Sequence, residues 1–271
     1  MSDEARSIAD WDADLQLIKT AAVAAGQTAL GYFRKSPDVR WKNEGRSPVS
    51  EADLAANDVL KTRLLAARPG YGWLSEETDD DLSRISRETV FVVDPIDGTR
   101  AFIAGKELWC ISVAVVHRGQ PVAGVLYAPA LDELFEAVAG GRALKNGAAI
   151  SVRKAKPGET LCLAAAEDTI GKFQAVYRNT VERVPHIPSL AYRLAMVADG
   201  RIDGTLVKRN SHDWDLAATD LILAQAGGAL VDLDEQPLFY NRSTVIHGVL
   251  CAAARPLLPG LIAASRSMEP H

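Results

Sequence analysis

From about Asp10 to Phe33 the apolar residues Leu15, Ile18, Ala22, Ala25, Ala29 and Phe33 recur at helical spacing, which predicts a long amphipathic helix. Ser36-Pro37 stops it, and the stretch containing Gly45 and Pro48 reads as a polar loop. A second helix is predicted from Ser50 to Ala67, carried by Leu54, Asn57, Val59, Leu60 and Leu64. Ser50 is a suitable N-cap, and Asp53 at the third helical position completes an acidic first turn.

After Pro69-Gly70 the spacing changes from helical to strand-like. Tyr71 to Leu74 and the β-branched run Thr89 to Val93 are predicted strands. Ile111 to Val116 and Val122 to Tyr127 flank Arg118-Gly119-Gln120-Pro121, a hairpin signal. Leu134 to Val138 adds another strand, before turns at Gly140-Gly141 and Asn146-Gly147. The C-terminal portion alternates. Strands are predicted at Leu161–Ala166, Asp203–Val207, Ala229–Asp232 and Val249–Ala253, and helices at Thr169–Thr180, Ser189–Ala198, Asp213–Ala226 and Pro256–Ser265. A helix pair, an antiparallel sheet and then alternating units imply a layered α/β protein with two sheets. The chain divides softly near residue 150. Residues 1–150 hold the helix pair and first sheet, and 151–271 hold the α/β portion.

The 271 residues can bury a substantial core, and 24% charged residues with a net charge of -5 is ordinary for a globular protein. That balance gives no electrostatic reason to expect nucleic-acid or anionic-membrane binding. The three cysteines, Cys110, Cys162 and Cys251, are odd in number and far apart, which suits buried thiols in a reducing compartment. The acidic start lacks a signal-peptide pattern, and the longest apolar run, Trp109–Val116, is too short to span a bilayer. The expectation is a cytoplasmic protein.

The chemistry concentrates in Phe91-Val92-Val93-Asp94-Pro95-Ile96-Asp97-Gly98-Thr99. A hydrophobic strand delivers two aspartates into a turn stiffened by Pro95 and opened by Gly98. Magnesium favours a few carboxylates converging at an open, wet position, and a helix starting after Gly98 would turn its N–H groups toward a phosphate. A bare D-x-x-D is more often a turn; the complete D-P-I-D-G-T after a strand is more specific. Phosphatases of the haloacid-dehalogenase type carry D-x-D-G-T after a strand, with the first aspartate as nucleophile. Aligned on Asp97-Gly98-Thr99, Pro95-Ile96 precedes here, and neither side chain can attack phosphorus. Three further segments carry acids: Trp73-Leu74-Ser75-Glu76-Glu77-Thr78, His212-Asp213-Trp214-Asp215, and Ser47-Pro48-Val49-Ser50-Glu51-Ala52-Asp53. Each alone also reads as a solvated loop or a helix start.

Together and in this order, the four segments resemble the inositol monophosphatase superfamily over nearly the whole chain, with D-P-I-D-G-T and W-D-x-A-A as its signatures. The resemblance implies an αβαβα sandwich, often a homodimer, acting on a small-molecule phosphate ester with two or three Mg2+ ions. It implies metal ligation by Glu76, Asp94, Asp97, Asp215 and the Ile96 carbonyl. Thr99 and Glu76 would activate water, and the Gly98 and Thr99 N–H groups would hold the phosphate. Members usually carry an acid before the P-V-[ST] segment to orient the threonine; here Glu44 or Ser47 would have to serve.

The resemblance leaves several esters open. Arg100 after Thr99 is of a kind found in nucleotidase-like and histidinol-phosphatase-like members. Lys208 and Arg209 would suit a second phosphate, with Ser189 and Arg193 further candidates for the leaving-group side. The expected substrate is a 3'(2'),5'-bisphosphate nucleotide such as 3'-phosphoadenosine 5'-phosphate, followed by inositol 1-phosphate and histidinol phosphate. A catalytically idle metal-binding protein on the same scaffold is the alternative from another class. His186 and His247 have no metal-ligand spacing and read as incidental.

Overall fold

The computed structural model describes residues 8–35, 38–42, 47–156, 158–171, 173 and 175–266. Two helices open and frame a hairpin: α1 (Ile8–Leu30), β1 (Val39–Lys42), β2 (Ser47–Ser50) and α2 (Glu51–Ala67). The first sheet follows with β3 (Gly72–Ser75), β4 (Thr89–Asp97), the short α3 (Thr99–Ile103), β5 (Cys110–His117), β6 (Gln120–Ala128), β7 (Glu133–Val138), β8 (Leu144–Lys145) and β9 (Ala148–Ala149). Then come β10 (Leu161–Ala164), α4 (Glu167–Gly171), α5 (Ala175–Arg178), β11 (Val181–Arg183), α6 (Leu190–Ala198), β12 (Gly204–Val207) and β13 (Ser211–His212). The chain closes with α7 (Asp213–Gln225), β14 (Gly228–Asp232), β15 (Ile246–His247), β16 (Leu250–Ala254) and α8 (Leu258–Ser265).

The larger sheet runs β3-β4-β5-β6-β7-β8-β9 in space, as in sequence. Only β3 and β4 are parallel; every other pair is antiparallel. Short turns suffice for the antiparallel pairs. Arg118-Gly119 and Asn146-Gly147 both take positive φ at both residues, as tight hairpins require. The second sheet is mixed, in the order β11-β10-β12-β16-β14.

Alternation along β4 shows how the layers form. Phe91 and Val93 join the apolar cluster under α1 and α2, with Ile18, Ala22, Leu60 and Leu64. Val90 and Val92, on the other face, join Leu194, Leu216 and Ala218 of α6 and α7. This second cluster continues to Leu230, Ala252 and Ala254, so residues before and after 150 share one core. α6 and α7 are therefore held between the two sheets, while α8 covers the far face of the second sheet through Leu258, Leu261 and Ile262. The result is the αβαβα sandwich, each layer burying the apolar face of the next.

Two local expectations need correction, and two short strands were not expected. The loop around Pro48 contains a hairpin, in which Trp41 pairs with Pro48 and Val39 with Ser50. The helix expected over Thr169–Thr180 is broken. Gly171, a poor helix former, ends the first piece, and Phe173 turns into the outer core beside α8. The segments Val181–Arg183 and Ile246–His247 are short strands that periodicity does not disclose.

Because both faces of the larger sheet are dry, truncation on either side carries a full core cost. Leu60→Ala on α2 and Leu194→Ala on α6 are each expected to lower unfolding free energy by about 2–5 kcal/mol. Urea denaturation curves with unchanged m-values would check this.

Candidate active site

In an unbroken strand, residues three apart face opposite sides of the sheet. β4 is not unbroken. Its pairing with β5 runs regularly to Asp94 opposite Ser112, then shifts register before resuming at Asp97 opposite Cys110. Pro95, which has no N–H for the ladder, lies inside the break. The Ile96 N–H turns back to Asp94 Oδ1 at 3.0 Å. The break brings Asp94 and Asp97 to the same place. With Asp215 they form a triangle whose chosen carboxylate oxygens all lie within 4.8 Å of one another.

Two helix N-termini converge here, and their positive ends favour the anions. Asp97 Oδ2 accepts from Ser189 Oγ at 2.6 Å and from the Ala191 backbone N–H at the start of α6. Ser189 Oγ in turn accepts the Tyr192 N–H at 3.0 Å as the α6 N-cap. Asp215 is the third residue of α7, and its Oδ2 accepts the His212 N–H at 2.7 Å in a capping box. The His212 ring lies flat on Trp214 with centroids 4.5 Å apart.

Gly98 follows the aspartates with φ of +97°, and a Cβ there would come within 3.1 Å of the Leu108 carbonyl oxygen. This glycine lets the chain turn directly from β4 into α3. The turn presents Thr99, whose Oγ1 lies 2.9 Å from Asp53 Oδ1 and 3.0 Å from the Ile96 carbonyl oxygen. The other oxygen of Asp53 accepts the N–H and the hydroxyl of Ser50 at 2.8 and 2.5 Å. Asp53 is thus buried between its own helix cap and Thr99. Sequence reasoning assigned it only the first-turn role, because the same geometry that caps α2 points its second oxygen across to α3. Glu44 and the side chain of Ser47, the expected partners of Thr99, lie outside the described residues.

A cavity of about 590 Å3 opens over these groups, lined by Glu76, Asp94, Asp97, Thr99 and Asp215, with the exposed Arg100 and Lys106 also on its wall. Glu76 stands outside the aspartate triangle but on the same cavity. Burial, then the charge of Asp215, pushes the Glu76 carboxyl up to about 8. Burial and Asp215 raise Asp97 to about 6 despite its bond from Ser189. Asp94, buried beside Glu76 and Asp97, is held well above the usual carboxylate range. Burial also raises Asp53 against the opposing bonds from Ser50 and Thr99.

A second cavity of about 350 Å3 adjoins the first, sharing His186 and Asp215, and is lined also by Arg193, Lys208 and Arg209. Lys208 and Arg209 are exposed. Arg193 is not: its Nε is buried and finds no hydrogen-bond partner among the described residues, and burial lowers its pKa despite the opposing charge of Asp97. Ser189, expected on the leaving-group side, instead lies fully buried behind Asp97. His186, read as incidental, stands at the junction of both cavities; one histidine in a loop carries no spacing signal that could have shown this. His247 is buried against Asp213, 2.8 Å from Nε2 to Oδ1.

Among the described residues, no helix is long and apolar enough to cross a membrane. The chain matches the sequence model of the inositol monophosphatase family over residues 10–269. An inositol-1-monophosphatase of Mesorhizobium japonicum is 34% identical over 243 residues, covering 86% of this chain and 91% of the relative. A 3'(2'),5'-bisphosphate nucleotidase CysQ of Aggregatibacter actinomycetemcomitans is 31% identical, covering 84% and 87%. The extragenic suppressor protein suhB of Bartonella henselae has the same fold, with a TM-score of 0.80 at 28% identity over 94% of this chain and 98% of its own. The chain belongs to the inositol monophosphatase family, whose members are Mg2+-dependent phosphoric monoester hydrolases.

Proposed function

We propose that this enzyme hydrolyses a small phosphate ester bearing a second anionic group, a 3'(2'),5'-bisphosphate nucleotide such as 3'-phosphoadenosine 5'-phosphate. The observation that carries the substrate is Arg193. Its side chain lines a cavity that also carries Lys208 and Arg209 and adjoins the aspartate triangle, so three cationic residues gather beside the reacting site. A phosphate seated there would pair with them. Family membership makes the chain an enzyme, so the idle-scaffold alternative is set aside.

The donor set fits magnesium. Asp94, Asp97 and Asp215 offer only hard oxygen ligands, and the raised carboxyl pKa values mark buried negative charge that lacks compensation. These three would hold the cation, with Glu76 and the Ile96 carbonyl completing the oxygen set. When bound, Mg2+ supplies positive charge to the phosphoryl group and acidifies water.

The remaining steps belong to the side chains. Thr99 directs its hydroxyl proton to Asp53, which leaves oxygen lone pairs to accept a hydrogen bond from the attacking water and fix its direction. Glu76, on the wall of the same cavity, receives the water's proton in its ionised form. The N–H groups of Gly98 and Thr99 hold the phosphate. The water oxygen bonds to phosphorus as the ester P–O bond breaks, the departing alkoxide takes a proton from water in the open cavity, and the alcohol and inorganic phosphate leave without a phosphoenzyme. Inositol 1-phosphate is the second reading, favoured by the activity named for the Mesorhizobium relative.

Three outcomes test this reading. First, Asp97→Asn is expected to abolish Mg2+-dependent phosphate release from every ester while the protein stays folded. Second, in a panel of bisphosphate nucleotide, inositol 1-phosphate and histidinol phosphate, the nucleotide should show the highest kcat/KM. Arg193→Met should lower that value by about 10- to 100-fold, the worth of a charge-assisted hydrogen bond, with a smaller loss on inositol 1-phosphate. Unchanged nucleotide turnover in both Arg193→Met and Lys208→Glu would refute the second-phosphate assignment.

The third outcome follows from linkage. An acid whose native pKa exceeds its unfolded value, about 4.3 for glutamate, adds stability that is complete below the unfolded pKa. That stability is lost as pH rises through the native value. Cation-free protein should therefore lose this contribution through about pH 6 for Asp97 and about pH 8 for Glu76. Magnesium binds the ionised forms, so its increment in Tm should be larger at about pH 8.5 than at about pH 6. A pH-independent increment in differential scanning fluorimetry would contradict the assignment.

A further inference from the structure

Glu76 and Asp215 approach the cavity from separate parts of the chain. Glu76 begins a thirteen-residue excursion between the parallel neighbours β3 and β4, and β3 is the edge strand of its sheet. Asp215 stands in the first turn of α7. Regular pairing on the Glu76 side ends with the Glu76 N–H on the Val93 carbonyl at 3.2 Å. Trp73 and Asn57 then reach Thr78 Oγ1 at 3.1 and 3.5 Å. The excursion beyond Thr78 is held differently.

Its anchor is Arg84, which is buried to 1% exposure within the 3-10 turn Ser83–Ser86. Its Nε and Nη2 clasp Asp80 at 3.0 and 2.7 Å, inside the excursion. Its Nη1 crosses to the far end of the chain, donating to Asn241 Oδ1 at 2.7 Å and to the Arg242 carbonyl at 3.0 Å. The Asn241 N–H donates in turn to Asp213 Oδ2 at 2.8 Å. Asp213 Oδ1 meets His247 Nε2 at 2.8 Å, and the Asp213 N–H reaches the Val245 carbonyl at 3.0 Å. A closed run of hydrogen bonds thus leads from the loop of Glu76 to the first residue of α7. The backbone of Arg84 is itself pressed onto β3: a Cβ at Gly72 would lie 3.0 Å from Arg84 Cβ and 3.2 Å from its Cα.

We infer that Arg84 is a positioning residue for the cation site: acting through Asn241 and Asp213, it fixes where the Glu76 loop stands relative to Asp215. Arginine suits the task because its planar fork satisfies a carboxylate on one edge and carbonyl oxygens on the other. A lysine could not make both sets of contacts. The inference rests on the cation site assigned under Proposed function, and its test separates the two.

Binding of Mn2+, as a probe for Mg2+, is measured on the cation-free protein by electron paramagnetic resonance of the free ion, without turnover. Asn241 has φ of +55°, so Asn241→Gly suits the backbone, keeps the N–H on Asp213, and removes the side-chain carboxamide whose oxygen accepts from Arg84. We expect Asn241→Gly to weaken Mn2+ by about threefold or more and Arg84→Gln by more still, the range of coupling carried through packed networks. Leu261→Ala in α8 should lower Tm with unchanged Mn2+ affinity, which separates site positioning from general loss of stability. If wild type binds Mn2+, Asp97→Asn loses it, and Asn241→Gly retains wild-type affinity, the role of Arg84 is overturned while the cation site stands. If wild type binds no Mn2+, or Asp97→Asn binds it normally, the cation site fails and this inference fails with it. Should Arg84→Gln not fold, Asn241→Gly alone decides.

Discussion

Mutual repulsion among buried carboxylates is the constraint around which the molecule is organised. Asp94, Asp97 and Asp215 share one triangle, Glu76 stands on the same cavity, and burial raises the pKa of Glu76, Asp94 and Asp97. Nothing in apolar packing favours such a gathering. It persists because each member is held by a part of the fold stable for other reasons. β4 is buried on both faces, α6 and α7 are enclosed between two sheets, and the helix N-termini supply partial positive charge. The remaining imbalance is of the kind that a divalent cation offsets.

The layered fold was legible because its signals are periodic. The β-branched run Thr89–Val93, the helical spacing from Leu15 to Ala29, and the glycine turns at Arg118-Gly119 and Asn146-Gly147 each record a local physical requirement. The features that escaped are short or depend on distant partners. β13 and β15 are two residues each and pair across the 33 positions between His212 and Ile246, so no window of sequence contains the pattern. β1 and β2 look like loop because Pro48 and the flanking polar residues carry no strand period, yet their register is continuous from Val39 to Lys42.

The site divides in the same way. Asp94, Asp97 and Gly98 were readable because strand, proline and glycine stand together and the register break follows from their chemistry. Asp53 was read as a helix-start acid and is one, since Ser50 caps against it. Its second bond, to Thr99, crosses 46 residues and has no local signature. Ser189 is a parallel case: it caps α6, as a serine before a helix should, and the same hydroxyl supports Asp97. In both residues the capping role that periodicity can see supplies the rigidity that the long-range role needs.

That double use explains how an acidic cluster can be both unfavourable and well defined. Asp53, Ser189 and Asp215 are each committed to a helix start, and a displacement large enough to relieve repulsion would also uncap a helix. The carboxylates therefore cannot spread apart cheaply when uncompensated. Relief by protonation remains open to them, and so does relief by a cation, which competes with the proton for the same oxygens. An acidic cluster tied to helix caps is held in place before any such compensation arrives, and its placement is distributed over α2, α6 and α7 instead of resting on one flexible loop.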